Sequence, residues 1–278
     1  MTEPTDIVFK VWGARGSIFS GGPQKIGFGG DTTCFSVSAG SGLTIIDAGS
    51  GLRAMGEAMA LGDMRSVTEI DLLLTHLHFD HICGLPFFEP IFSDQTVLRI
   101  WSAAFDRDEA FRDTLARVMS PPIFPQFRHW DSVRLCTTHA GISIPLAMGG
   151  EATPFALNHP DGAFGWRIDC GGKSVTVAAD HEAGDTRIDR GIVDMARDTD
   201  LFVFDAMYTD DEIASREGWG HSTWRQGLDL GHSANAGHML MTHHDPQRVD
   251  GELTAMEREA QTEDANITFA RSGWTRSL

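Results

Sequence analysis

Four potential metal ligands fall within six residues of the segment 75–81, whose sequence is THLHFDH. They are His76, His78, Asp80 and His81. Imidazole nitrogen and carboxylate oxygen together suit zinc and similar divalent cations. An isolated histidine is more often structural or exposed, but three histidines and an aspartate in an HxHxDH array are difficult to explain without a metal. The sequence therefore predicts a metal site at this segment.

The elements that must position these ligands can be predicted from hydrophobic patterns. The apolar run 70–75 predicts a strand, and a strand that ends in a tight loop can splay side chains around one point. Similar runs bounded by Gly or Asp alternate with helical patterns along the chain. The predicted strands are 7–12, 34–39, 43–47, 70–75, 97–101, 164–169, 174–179, 201–205, 238–242 and 267–270. The predicted helices are 51–61, 106–119, 192–197, 222–231 and 249–262, with Asp106 and Ser222 as candidate N-caps.

The distribution of these strands bears on the domain organisation. Strand-rich stretches occur both near the start and in the middle of the 278 residues. This arrangement predicts two similar halves packed face to face, with the join near residues 148–150. No flexible linker divides the halves, so we interpret residues 1–278 as a single α/β domain.

The HxHxDH array closely resembles the signature of the metallo-β-lactamase superfamily. That resemblance implies a four-layer αββα sandwich. It also requires a later histidine, then an aspartate after a strand, and then a final histidine after another strand. His159, Asp180 and His243 occur in that order, and the last two directly follow predicted strands. The resemblance thus spans nearly the whole chain.

The resemblance implies a site with two divalent cations, with zinc favoured and manganese or iron acceptable. One cation would be held by His76, His78 and His159, the second by Asp80, His81 and His243, with Asp180 as the bridge between them. Positions left open for water distinguish a catalytic site from a structural one. A hydroxide between two cations is nucleophilic near neutral pH, because the cations lower the pKa of bound water. Asp80 is therefore also counted as a catalytic residue.

Three further segments resemble one branch of the superfamily, the ribonuclease Z-like and cyclic-phosphodiesterase-like proteins. They are VWGARGS at 11–17, GGDTTC at 29–34 and GWGHST at 218–223. In that branch a histidine in the Gly-His-Ser-Thr element lies beside the metals. The resemblance implies that His221 contacts the phosphate or protonates the leaving oxygen, and that Asp205 orients its ring.

Several neighbouring residues leave alternatives open. His181 and His244 each adjoin a predicted ligand, so either would be the ligand if the register were shifted by one. Asp47 is either a turn residue or a support for the metal loop. Asp31 occupies a place where relatives often carry asparagine, and the run DHE at 180–182 replaces a threonine-rich version.

The segment 120–130, SPPIFPQFRHW, is irregular and rich in proline and aromatic residues. One interpretation is a packed surface loop. The other is a lid or pocket wall, since loops with bulky apolar residues often close over sites.

Charge and composition restrict the class of substrate and the location. The formal net charge is −17, and the only lysines are Lys10, Lys25 and Lys173. A chain without a basic cluster is a poor match to extended nucleic acid, so a small substrate is favoured. We find no apolar run long enough to cross a bilayer, no signal peptide and no CxxC pair. These features predict a cytoplasmic protein without a membrane partner.

The favoured hypothesis is a metal-dependent phosphodiesterase that acts on small or cyclic phosphodiesters. The alternative is a hydrolase of esters, thioesters or lactones, which would not depend on His221. Processing of the tRNA 3′ end is less favoured, because no inserted basic, glycine-rich arm is evident and the charge is unhelpful. A non-catalytic binding module is disfavoured by the intact ligand set. Homodimers are common among similar proteins, so a homodimer is a further expectation.

Overall fold

Two seven-stranded sheets form the centre of the protein in the computed structural model, which describes residues 7–62, 67–93, 95–125 and 133–278. The first sheet has the order β14-β1-β2-β3-β4-β5-β6. Its strands are β1 (Ile7–Gly13), β2 (Cys34–Ala39), β3 (Gly42–Ile46), β4 (Glu69–Leu74), β5 (Val97–Ser102), β6 (Val133–Thr137) and β14 (Thr275–Ser277). The second sheet has the order β13-β12-β11-β10-β9-β8-β7. Its strands are β7 (Ile144–Pro145), β8 (Glu151–Leu157), β9 (Ala163–Cys170), β10 (Lys173–Ala178), β11 (Leu201–Asp205), β12 (Met239–Thr242) and β13 (Ile267–Phe269).

Both sheets change from antiparallel to parallel pairing at an internal strand. In the first sheet β3, β4, β5 and β6 are parallel, and in the second β10, β11, β12 and β13 are parallel. The carboxyl ends of neighbouring parallel strands lie at the same edge of the sheet. Residues that follow β3 and β4, and those that follow β10, β11 and β12, are therefore gathered at two such edges.

Helices cover the outer face of each sheet. They are α1 (Gly51–Leu61), α2 (Phe79–Ile82), α3 (Asp108–Val118), α4 (Thr186–Met195), α5 (Asp210–Ile213), α6 (Trp224–Ser233) and α7 (Asp250–Glu263), with 3₁₀ turns at Leu85–Phe87 and Glu89–Phe92. Three apolar clusters fill the interfaces between the layers. In β4, Leu72 and Leu74 belong to the cluster beneath the helices, and Leu73 belongs to the cluster between the sheets. Burial on both faces explains why this strand is an unbroken apolar run.

The layer order is helix, sheet, sheet, helix, which confirms the predicted αββα sandwich. Most predicted strands occur within one or two residues of their expected bounds. Four strands were not predicted: β6, β7, β8 and β14. Three of them lie at sheet edges, and β7 and β14 have only 2 and 3 residues. Strands as short as these carry little hydrophobic pattern of their own, so the sequence does not reveal them. They form because a neighbouring strand offers hydrogen-bond partners.

The predicted join near residues 148–150 was misplaced. The chain leaves the first sheet after Thr137 and has entered the second sheet by Ile144. Residues 148–150 instead form the turn between the antiparallel strands β7 and β8. Gly149 and Gly150 both have positive φ there, which glycine adopts without a steric penalty. The two halves also interlock, because β14 returns to pair with β1.

Both predicted N-caps were wrong. Helix α3 begins one residue after Arg107, and no side chain caps it. Helix α6 is capped by Thr223 rather than Ser222, with a reciprocal bond in which Gln226 Oε1 accepts from the Thr223 amide at 2.9 Å. Ser222 is used differently: its hydroxyl donates to the His181 carbonyl at 2.5 Å. Helix α4 also starts earlier than predicted, because Asp185 caps it by accepting from two backbone amides.

Two other observations concern the surface. Within the described residues, no helix is long and apolar enough to cross a membrane. The segment 120–130 is described only up to residue 125, where Phe124 packs edge-on against Phe87 at 5.8 Å. The remainder of the predicted lid, residues 126–130, lies outside the described part of the chain.

Candidate metal centre

The ligand-rich segment lies at the carboxyl end of β4, next to the carboxyl end of β3. Asp47, directly after β3, accepts hydrogen bonds from the Thr75 amide at 2.8 Å and from the Thr75 hydroxyl at 2.9 Å. This contact joins the ends of two parallel strands and fixes where the chain turns. His76 and His78 lie in the turn, and Asp80 and His81 lie in α2, which starts at Phe79.

The second sheet brings the distant residues to the same place. Asp180 follows β10, Asp205 ends β11 and His243 follows β12, so three parallel strands each contribute one side chain. His159 comes from the loop between β8 and β9. Asp180 and His243 both have positive φ, at 63° and 59°. Such values are unusual for non-glycine residues and cluster at functional sites.

The predicted ligands form two groups that meet at Asp180. In the first group, His76, His78 and His159 place their ligand atoms within 4.8 Å of one another, and Asp80, His81 and His243 do the same in the second. The Asp180 carboxylate lies between the groups. Its Oδ2 is 3.1 Å from His81 Nε2, and its Oδ1 is 3.2 Å from His243 Nε2 and 3.9 Å from His159 Nε2.

Unsatisfied polar atoms show that these residues fit a cation. Three buried atoms, His76 Nε2, His81 Nε2 and Asp180 Oδ2, make no hydrogen bond of good geometry within the described residues, although the last two lie 3.1 Å apart. Leaving a buried polar atom unpaired costs about 1–3 kcal/mol. Their convergence on one point is accounted for by a divalent cation, whose preferred donors are imidazole nitrogen and carboxylate oxygen.

Burial and neighbouring charges shift the pKa values of the same donor groups. Burial disfavours the charged carboxylate of Asp180, but the His243 and His81 imidazoles hold its pKa well below the usual value. Burial, reinforced by the charge of His81, keeps the pKa of His76 well below the usual value. An ionised carboxylate and a neutral imidazole are the forms that bind metal, so Asp180 and His76 favour these forms. His81 differs, because burial disfavours its charged form but three neighbouring carboxylates outweigh the burial and raise its pKa well above the usual value. These carboxylates belong to Asp180, Asp80 and Asp47. His81 must therefore lose a proton when a cation binds.

The opposite ring nitrogen of four of these histidines is held by a fixed partner. His81 Nδ1 is 2.8 Å from Asp47 Oδ2, and His159 Nδ1 is 2.9 Å from the Gly220 carbonyl oxygen. His243 Nδ1 is 3.1 Å from the Thr33 hydroxyl, and His76 Nδ1 is 3.0 Å from the Thr75 hydroxyl. Such partners set the tautomer and leave Nε2 free to bind. Asp47 is therefore a support for the metal loop as well as a turn residue.

The neighbouring histidines have other partners. His181 Nδ1 accepts from the Asn158 amide at 3.1 Å, and its Nε2 is 3.0 Å from Asp189 Oδ1. His244 Nε2 donates to the Ala270 carbonyl at 2.8 Å. Neither imidazole joins the groups of ligand atoms.

His221 and Asp205 lie directly beside these groups. His221 Nδ1 is 2.8 Å from Asp205 Oδ2, and the ring centroid is 4.9 Å from that of His243 and 5.4 Å from that of His159. Burial alone disfavours the imidazolium, but Asp205 and, more weakly, Asp180 raise the pKa of His221 to about 9. Asp205 is itself fixed, because its Oδ1 accepts from the amides of Met207 and Ser222 at 3.1 Å.

Two contributors were missed by the sequence analysis. The Glu182 carboxylate accepts from the amides of Gly218 at 2.9 Å and Gly220 at 2.8 Å. It therefore fixes the loop that bonds His159 and carries His221. The Ser17 amide donates to Asp80 Oδ2 at 2.7 Å. The only sequence signal for Glu182 was the unusual DHE run, and a backbone donor such as Ser17 leaves no signal in residue type.

Asp31 has a local role. Its Oδ1 accepts from the Ser50 hydroxyl at 2.8 Å, and Ser50 Oγ in turn accepts from the Thr32 amide at 3.0 Å. The aspartate thus ties the loop after β1 to the start of α1.

An αββα sandwich whose two sheets deliver histidines and aspartates to one cluster defines a hydrolase of the metallo-β-lactamase fold. The chain belongs to the β-lactamase superfamily, because the family model for the "Beta-lactamase superfamily domain" matches residues 44–244.

Relatives and solved structures agree with this assignment. Ribonuclease Z of Lactococcus lactis subsp. lactis is 35% identical over 110 residues, which cover 40% of this chain and 34% of that protein. The chain thus spans about a third of the length of the Lactococcus relatives that it matches. The metallo-beta-lactamase fold protein YhfI from Bacillus subtilis matches with a TM-score of 0.73 at 18% identity, over 98% of this chain and 99% of that one. A diphosphatase from the PhnP family matches with a TM-score of 0.69 at 16% identity, over 99% of this chain and 98% of that one.

Proposed function

We propose that the protein is a metal-dependent phosphodiesterase that acts on small or cyclic phosphodiesters. The observation that carries the proposal is the Asp205–His221 pair beside the cluster of predicted ligands. The pair could also help to hold a cation, since the ligand atoms of Asp180, Asp205, His221 and His243 lie within 4.8 Å of one another. A histidine oriented by a carboxylate is, however, also suited to proton transfer. We assign His76, His78, Asp80, His81, His159, Asp180 and His243 to two divalent cations, with zinc as the expected metal.

Each part of the site has a task in this reaction. When bound, two divalent cations neutralise charge on the phosphoryl oxygens and lower the pKa of a water molecule. His221 holds a proton for the leaving oxygen. Because its Nδ1 faces Asp205, the nitrogen that serves the substrate is Nε2. Asp205 keeps the ring in that orientation and stabilises its charged form.

The comparisons support this choice. The chain is similar to a protein named ribonuclease Z, and its structure is similar to that of a diphosphatase. Both names denote enzymes that break phosphorus–oxygen bonds. The net charge of −17 favours a small substrate over a polyanion. The proposed partner is therefore a small-molecule phosphodiester. We also propose a cytoplasmic location, for which the support is that the cysteines are free thiols, and a homodimer remains a prediction.

The test uses hydrolysis of bis(p-nitrophenyl) phosphate and of a panel of cyclic nucleotides by the zinc, manganese and iron forms. His221→Ala should lower kcat by about 10²- to 10⁴-fold, the usual contribution of a general acid. His232→Ala is the matched control, since His232 also pairs with a carboxylate, Asp264, at 2.7 Å but is exposed on α6. No turnover above the His221→Ala variant in any metal form would overturn the proposal.

The same cluster could serve hydrolysis of an ester, thioester or lactone, because an activated water can also attack a carbonyl carbon. That function predicts activity that is indifferent to His221→Ala. Cleavage of a precursor tRNA would instead identify a processing nuclease, and the Lactococcus relatives carry the name ribonuclease Z.

A further inference from the structure

Arg216 is connected to His221 through the ring of Tyr208, and within the described residues no carboxylate lies at ion-pair distance from it. Its guanidinium carbon is 4.7 Å from the centre of the Trp219 ring and 5.9 Å from the centre of the Tyr208 ring. The Tyr208 ring in turn meets His221 edge-on, with centroids 5.9 Å apart. Tyr208 therefore touches both the proposed proton donor and the arginine.

We propose that Arg216 and Trp219 form a subsite for a second negatively charged group of the substrate, on the leaving-group side of the bond that is cleaved. The inference rests on the proposed function, which places the leaving oxygen at His221. It adds a substrate class: phosphodiesters whose leaving part carries an anionic group together with a flat ring, as nucleotides do.

The first argument is the unpaired charge. Within residues 7–62, 67–93, 95–125 and 133–278, no carboxylate lies within ion-pair distance of Arg216, and two carboxylates of the surrounding loops have partners of their own. Glu182 binds the amides of Gly218 and Gly220, and Glu212 pairs with Arg248 at 2.6 Å. On a surface with a net charge of −17, an arginine without a partner retains its capacity to bind an anion.

A second arginine of the same chain shows the contrast. Arg225 also stacks on a tryptophan, Trp224, with its guanidinium carbon 4.2 Å from the ring centre. Arg225 is neutralised, however, by carboxylates of three residues, which are Asp210, Glu259 and Glu263. The two arginines differ in whether a carboxylate pairs with them, and Arg216 is the one that packs against Tyr208, whose ring contacts His221.

The second argument is Trp219 itself. It is 55% exposed, which is uncommon for a side chain of this size. Arg216 packs on the ring, and the remaining ring surface faces solvent. An exposed tryptophan next to a cation is a suitable platform for a flat heteroaromatic ring, because every base has a π-face that can stack on an aromatic side chain.

The third argument is rigidity. The loop is fixed by the two bonds from Glu182 and by the Trp219 amide, which donates to the Arg216 carbonyl at 3.1 Å. A preformed subsite loses less conformational entropy on binding than a mobile loop.

The experiment compares adenosine 5′-monophosphate with adenosine 3′,5′-bisphosphate, which adds one anionic group. Binding to the zinc-loaded protein is measured by isothermal titration calorimetry, and inhibition of bis(p-nitrophenyl) phosphate hydrolysis is measured in parallel. The wild-type protein should bind the bisphosphate about tenfold more tightly, the effect of one charge-assisted contact. Arg216→Gln should abolish this preference, Arg216→Lys should retain part of it, and Arg225→Gln should leave it unchanged.

Equal binding of the two nucleotides by the wild-type protein would overturn the inference. The same conclusion would follow if Arg216→Gln kept the preference, or if Arg225→Gln lost it to the same extent. Calorimetry separates this failure from failure of the proposed function. A protein that binds the bisphosphate through Arg216 but hydrolyses no phosphodiester would contradict the function and keep the subsite.

Discussion

The two sheets contribute to the candidate metal centre in different ways. The first sheet supplies His76, His78, Asp80 and His81 from one continuous segment, which Asp47 holds through Thr75 and His81 and Ser17 holds through Asp80. The second sheet supplies single residues from separate strand ends and loops, which are Asp180, His243 and His159. Those loops are held by a wider network in which Glu182 takes part. The first contribution is a local motif, and the second exists only when the sheet is assembled.

This difference teaches that the two halves should respond differently to substitution. A change in the first half should act on one cation through one loop. A change in the second half should disturb the positions of several loops at once and so lower activity moderately. Asp180 is the exception, because it lies beside ligands of both groups and its loss should affect both cations.

The largest effect is expected from Asp180→Asn. Asparagine tolerates the positive φ of 63° at this position, so the fold should be retained. The amide removes the charge and one oxygen donor between the two ligand groups. We expect bound metal to fall from two ions to one or fewer per chain. Activity should fall by about 10³-fold or more, because the reaction would lose a cation that neutralises charge and activates water. Elemental analysis and circular dichroism check this, and full metal content would contradict the bridging role.

Asp47→Asn tests the support of the first-sheet loop. The asparagine side chain can still accept from the Thr75 amide, but its NH₂ group would face His81 Nδ1. The proton of His81 would then move to Nε2, the atom that faces the other ligands. Metal affinity should fall by about 10- to 100-fold, the usual effect of such a partner, as measured by chelator competition. An unchanged affinity would restrict Asp47 to the role of a turn residue.

Glu182→Gln tests the network of the second half. Gly218 and Gly220 donate to different oxygens of Glu182, so in the same orientation the NH₂ group of glutamine would face one of the two amides and that hydrogen bond would be lost. We expect kcat to fall by about fivefold to tenfold, in line with the loss of one hydrogen bond of about 1 kcal/mol. Glu217→Gln, an exposed change on the same loop, is the control and should have no effect. Equal effects of the two substitutions would argue against a role of Glu182 in holding the loop.

The smallest effect on the candidate site is expected from a residue at the amino end of β12, the end away from His243. His238 lies just before this strand, 3.1 Å from the Thr268 hydroxyl and stacked on Trp274. Burial and then the charge of Arg276 lower the pKa of His238 to about 4. The unfolded chain therefore binds more protons between about pH 6.5 and pH 4, so the free energy of unfolding should fall as the pH falls through this window.

His238→Gln should flatten this dependence by about 1 kcal/mol, with allowance for screening by solvent. Denaturant unfolding at pH 7 and pH 4.5 checks the prediction. Metal content should not change, because His238 is at the far end of the strand from His243. A change in metal affinity would show that the two ends are coupled.

The fold could be predicted to the extent that its elements are locally specified. The unbroken apolar run of β4 and the turn-bounded run of β11 both occur where hydrophobicity places them. The strands β7 and β14 and the join between the sheets were not predicted correctly. Their pairing depends on strands distant in the chain, and a residue's own neighbours carry little information about such contacts.

The sequence by itself determined the metal-binding segment, since a strand end followed by HxHxDH brings its donors together over a few residues. It also placed His159, Asp180, Asp205, His221 and His243 in order through resemblance to a family. Only the tertiary structure decided that Glu182 holds the His221 loop, that Ser17 binds Asp80 through its amide, and that Arg216 packs on Trp219 rather than pairing with a carboxylate of the described residues. The physical reason is that a hydrogen bond or an ion pair depends on distance and direction, and these are fixed only when the two sheets pack against each other.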